Sequence, residues 1–159
     1  MSSSMPQLEV PASLTPPPGA ALLLRALGRG VQIYTSQPNA AAAGKFQWVL
    51  KGPEASLTCE DERGQFVATH FAGPTWQSAL EGDSSKVTGE VAAKADAPGG
   101  DSIPWLLLKG KSTDSSGMFS GVKFIQRLRT RGGLAPSEPT EAGREVRVPY
   151  EAQYVFYTA

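Results

Sequence analysis

From Val31 onward the chain alternates short runs of β-branched and aromatic residues with clusters of Gly, Pro, Ser and Asp. Such punctuation predicts strands joined by turns. The runs are VQIYTS (31–36), KFQWVLK (45–51), GQFVATHF (64–71), KVTGEVAAK (86–94), IPWLLLK (103–109), GVKFIQRLR (121–129) and REVRVPYEAQYVFYT (144–158). Seven such strands make the fold all-β, either an antiparallel β-sandwich or a closed β-barrel.

The last run alternates most cleanly. Val146, Val148, Tyr150, Ala152, Tyr154 and Phe156 fall on one face, and Glu145, Arg147, Glu151 and Gln153 on the other, which separates a core face from a wet one. Pro149 lacks a ladder donor and predicts an edge, a bulge or a break there. In the preceding run Val122, Phe124 and Leu128 share a face with Gln126, opposite Lys123, Ile125, Arg127 and Arg129. Gln126 is therefore expected to point inward, where it needs partners. Trp48 and Trp105 sit inside apolar strand patterns and read as core.

Residues 1–19, MSSSMPQLEVPASLTPPPG, read as an extended Pro-rich arm, with Val10 placed to dock on a sheet edge. The stretch Ala20 to Leu27, broken by Arg25 and stopped by Gly28, is either one short helix or a buried strand. It is far shorter than the roughly 20 residues that span a bilayer. No linker or repeat divides the remainder, so residues 20–159 form a single β domain. Of the loops, residues 131–143 are long enough for a lid or rim.

Composition narrows the chemistry. Across 159 residues, 15 Lys plus Arg balance 15 Asp plus Glu, leaving no net charge to favour nucleic acid or an anionic membrane. One histidine (His70) and one cysteine (Cys59) exclude intramolecular disulfides and zinc sites built from several such ligands. Any catalytic triad has to run through His70, whereas Cys59 reads as a packed, inert thiol. The phosphate loop, the GxGxxG turn, the HExxH helix and the GxSxG elbow are all missing, so neither a cofactor nor a metal is implied.

The densest cluster is THFAGPTWQ, residues 69–77. His70 lies on the inward side of its strand as a candidate general acid or base, or as a hydrogen-bonded structural residue. The turn at Gly73 and Pro74 swings Trp76 over an opening, as a binding platform or a lid on the core. Glu54, following Pro53, is expected in a first turn beside backbone donors, or paired with His70 or Arg127. Arg127 offers a rigid fork for an anion if it turns inward beside Gln126, and otherwise belongs to a solvated basic face with Lys123, Arg129 and Arg131. The candidate site is therefore His70 as the catalytic residue, with Glu54, Pro74, Trp76, Gln126 and Arg127 binding a ligand.

Taken in order, GVQIYTS, FQWVLKGPEASL, THFAGPTW, SKVTGEV, SIPWLLLK, FIQRLRTRGGLAP and VPYEAQYVFY resemble the bacterial and fungal family known as domain of unknown function 3455. The resemblance runs from about Leu22 to Tyr157. Some members are labelled malate dehydrogenase, but this chain has no glycine turn of a dinucleotide-binding fold. The family pattern also includes an export signal, a cysteine at the place of Ser36 and another within residues 136–141. Their absence implies a cytoplasmic form, or an exported one if a native leader precedes this sequence.

Two functions are expected from these residues. One is a binding domain whose Trp-lined concavity takes a small apolar or carbohydrate-like molecule. The other is a cofactor-independent isomerase, cyclase or hydrolase, with His70 as acid or base and Arg127 or Gln126 holding an oxyanion or carboxylate. A self-associating protein would need an exposed apolar patch or an unprotected edge strand. The oligomeric state does not follow from the sequence.

Overall fold

The computed structural model describes residues 10–61, 63–139 and 141–159. Every expected run is a strand: β1 Ala21–Pro38, β2 Phe46–Cys59, β3 Phe66–Phe71, β4 Thr75–Ser78, β5 Lys86–Ala95, β6 Trp105–Lys111, β7 Val122–Gly132 and β8 Glu145–Thr158. The eighth, β4, is the short TWQS segment that turns back from β3. Of the stretch Ala20 to Leu27, all but Ala20 is strand, running straight into VQIYTS to make β1. PEASL opens no turn. Glu54 lies within β2, opposite Val31 of β1, because the pairing carries the chain through Pro53.

Each strand pairs antiparallel with the next, and β1 pairs with β8, closing a barrel in sequence order. Closure satisfies the outer ladders of what would be an open sheet, so among the described residues no strand is left as an edge. Pro149 fits this closed wall at the end of a ladder. The last β7–β8 register pair is Gly132 with Tyr150, and the Pro149 carbonyl accepts from Gly133 N–H at 3.1 Å. The amide donor that proline lacks falls where β7 has already ended.

With no edge to join, the arm docks on the outside of the wall. A 3₁₀ turn at Ala12–Leu14 buries Leu14 completely, and with Val10 it packs over Trp105, Leu107, Leu128 and Val155. This outer layer explains why the alternation in β7 misplaces Gln126. Phe124, Gln126 and Leu128 face outward beneath the arm, while Ile125 and Arg127 face the interior. A register shift between Val122 and Phe124 puts Val122 in the interior core instead. Gln126 Nε2 donates to the Leu14 carbonyl at 2.8 Å, and its Oε1 accepts from Tyr157 O–H at 2.8 Å. Gln126→Ala strands both partners and should cost about 1–2 kcal/mol. A melting comparison with the parent protein checks this, and an unchanged Tm would show that the clamp adds nothing.

Trp105 is buried in this outer layer. Trp48 is not core: it is half-buried, and its Nε1–H donates to the Ser137 carbonyl at 2.8 Å. Ser36 ties down the other end of that loop, its Oγ accepting from Arg144 N–H at 2.8 Å and its carbonyl from Gly143 N–H at 2.9 Å. The buried serine thus holds the loop by accepting from two of its amides.

The two ends of the barrel differ. At one, Asp83 accepts from Ser85 N–H and Met118 N–H, both at 2.9 Å, and Ser85 Oγ accepts from Phe119 N–H at 3.1 Å. These bonds seat the fully buried Phe119 as a plug. Those donors hold the Asp83 carboxyl at a pKa of about 2, below the ordinary 3.8. The other end carries the β3–β4 turn and stays open. No helix among the described residues is long and apolar enough to cross a membrane.

Candidate functional site

An eight-stranded barrel has an interior just wide enough for packed side chains or one small ligand. Here the interior is filled up to an aromatic layer and open above it. Trp76 enters from β4 and is 1% exposed. His70, from the paired position on β3, stacks on it with centroids 4.3 Å apart and planes 9° from parallel. Tyr154 of β8 meets both rings edge-on, at 5.2 Å from His70 and 5.7 Å from Trp76. Glycines make the room: a Cβ on Gly28 would lie 2.6 Å from the Tyr154 ring, and one on Gly89 would lie 3.0 Å from the Trp76 ring.

Above this layer is a cavity of about 370 Å³, within the range of about 300–1,000 Å³ common for small-molecule sites. Its floor is His70, Trp76 and Tyr154. Leu106, Leu108 and Val91 make one wall, and Pro53, Pro74 and Gln32 another. The peptide bond between Gly73 and Pro74 is cis.

Arg127 supplies the charge. Its Nε–H and Nη2–H donate to the Pro104 carbonyl at 3.1 and 2.9 Å, which fixes the plane of the guanidinium at the cavity wall. Among the described residues, no carboxylate lines the cavity. The ion pairs among the described residues join Arg29 to Glu151, Arg147 to Glu54, and Lys51, at the cavity's edge, to Glu145.

His70 Nδ1 lies 2.8 Å from the Thr75 carbonyl. A carbonyl only accepts, so Nδ1 carries the proton and Nε2 keeps its lone pair. Burial lowers the imidazole pKa from 6.5 to about 4, the Thr75 bond opposing the fall and the Arg127 charge deepening it. At pH 7 roughly one molecule in a thousand is protonated. The ring is thus a neutral stacking surface with a weak acceptor. Burial likewise raises the Tyr150 and Tyr154 hydroxyls above the usual phenol range, and the two hydrogen-bond at 2.9 Å. Two buried atoms in the cavity-lining residues have no partner among the described residues, Gln32 Oε1 and Trp76 Nε1.

Of the six residues singled out in the sequence, His70, Pro74, Trp76 and Arg127 line this one cavity. Two do not. Gln126 is the outer clamp on the arm, and Glu54 faces outward, its Oε1 2.9 Å from Arg147 Nη1. Glu54 therefore pairs with neither His70 nor Arg127. Sequence reasoning missed Gln32, Leu106, Leu108 and Tyr154 as part of the site. For Tyr154 the signal was present in its inward parity on β8. For Gln32 it was a polar residue alternating with Ile33 in an otherwise apolar run.

Among the described residues, no three His, Cys, Asp or Glu side chains converge as a metal site. Comparison with protein families matches residues 16–158 to a family described as "Protein of unknown function (DUF3455)". Comparisons with curated proteins and with solved structures gave no match.

Proposed function

The chain belongs to that family of unknown function, and we propose that it is a small-molecule-binding barrel whose ligand occupies the mouth cavity. The observation that carries this reading is the cavity itself. It is an apolar recess of about 370 Å³, floored by three locked aromatic rings, with one fixed polar group on its wall. Pre-formed concavities with few polar groups are what small-molecule sites look like. A packed barrel would have carried its side-chain layers up to the mouth.

Rigid aromatic floors favour flat apolar molecules, so 2-naphthalenemethanol is a suitable neutral probe. Binding to the folded state alone stabilises it by about 2.7 kcal/mol at 100 times the dissociation constant. The wild type should therefore melt several degrees higher with the probe. Val91 is 51% exposed and lines the mouth, so Val91→Trp should plug the cavity while leaving the core untouched. Its melting temperature should not respond. A wild type indifferent to the probe, or a plugged variant that responds equally, would rule out the cavity as the binding site.

A further inference from the structure

The charge arrangement around the cavity selects among small molecules. Resting on the binding reading above, we infer that the ligand is a monoanion, an apolar or aromatic body bearing one carboxylate that Arg127 holds.

Three observations lead there. First, Arg127 is a half-buried cation on the wall of an apolar recess, and among the described residues no carboxylate lines that recess. Charged side chains in such positions are normally paired. Among the described residues its hydrogen-bonding neighbours, the Pro104 carbonyl and the Tyr154 hydroxyl, are uncharged, so they orient the guanidinium without neutralising it. Second, the charge is close enough to bear on several buried or half-buried groups around the cavity. Arg127 acts on the titration of His70, Tyr34, Tyr150 and Tyr154, groups carried by three other strands. Third, the other basic groups at the cavity add no second positive charge. The Lys51 ammonium lies 3.8 Å from Glu145, and the His70 ring is neutral.

A single uncompensated positive charge matches a single negative one. The planar fork of Arg suits a carboxylate, which can accept two parallel N–H bonds. The remaining contact surface is mostly apolar, with Leu106, Leu108, Val91 and the Trp76 ring, and beyond Arg127 it offers few polar atoms, among them Gln32 Oε1, Trp76 Nε1 and the His70 ring. A sugar would leave most of its hydroxyls unpaired there, at a cost for each one. This separates the inferred class from the carbohydrate-like ligand that the sequence left open.

The test compares 2-naphthoate with 2-naphthalenemethanol, nearly equal in shape and differing in charge, by ligand-observed NMR titration. Wild type should prefer naphthoate by about tenfold or more, the scale of one hydrogen bond to a charged group. In Arg127→Met that ratio should collapse towards one. Arg127→Lys, which keeps the charge but not the fork, should give an intermediate ratio. Because the readout is a ratio within each variant, partial loss of folded protein does not distort it.

Equal affinity of the two probes for wild type, with both lost in Val91→Trp, would overturn the anion selectivity and leave the binding reading standing. A naphthoate preference that survives both Arg127→Met and Val91→Trp would place the anion on the outer surface and overturn the inference. Binding of neither probe would remove the binding reading itself.

Discussion

Trp76→Ala should lower the stability of this protein by about 3–5 kcal/mol, the range for deleting a large buried aromatic. The indole is 1% exposed and contributes to three ring contacts, with His70 at 4.3 Å, Tyr154 at 5.7 Å and Phe156 at 6.0 Å. Its neighbours cannot collapse into the space, because they are anchored on two strands of a closed wall, His70 on β3 and Tyr154 and Phe156 on β8. His70 hangs from the Thr75 carbonyl, Tyr154 from the Tyr150 hydroxyl, and Phe156 packs on Phe119. The substitution would also join the mouth cavity to the interior. Urea denaturation followed by far-UV circular dichroism measures the loss. A change below about 1 kcal/mol would mean that the ring is a dispensable binding platform and not part of the core.

Acidification produces the second large effect, and His70 governs its upper limb. The folded pKa of about 4 lies below the ordinary 6.5, so between those values the unfolded chain binds the proton and the folded one does not. Stability therefore rises with pH through that window and is lost as pH falls from about 6.5 towards 4. A shift of this size corresponds to about 3 kcal/mol. A second loss follows at lower pH. The Asp83 carboxyl, held near 2 by backbone donors, stabilises the fold above 3.8 and ceases to do so as pH falls from there towards 2. His70→Phe keeps a flat ring against Trp76 and removes the titrating group. Its melting temperature should be nearly flat between pH 6.5 and 4.5 where the wild type declines. Parallel pH profiles for the two proteins would exclude His70 as the source.

The barrel, most strand positions and half of the site were readable beforehand, for identifiable reasons. Strict alternation in β8 correctly placed Tyr150, Ala152, Tyr154 and Phe156 inward, because residues that face solvent mark the other parity. β7 defeated the same rule, since the arm buries its outer face and the two parities become chemically alike. Gln126 and Arg127 exchanged roles for that reason alone. Glu54 was misread differently. A proline followed by a carboxylate resembles the start of a turn, and only long-range pairing with β1 keeps it in a strand. His70, Pro74 and Trp76 were found together because they are adjacent in one hairpin. Gln32 and the leucines of β6 approach them only after closure, which local patterns do not encode.

Closure also dictates how the chain must be made. The longest ladder, fourteen paired positions, joins the first strand to the last. Loop-closure entropy is greatest for such distant partners. On the ribosome, hairpins from β1 through β7 are synthesised before β8 exists. Until β8 arrives the nascent sheet carries two open edges, with Ala26, Gly28 and the aromatic layer facing no opposite wall. Nascent sheets of this kind are sticky. The cavity thus cannot be complete until β8 brings Tyr154 into place.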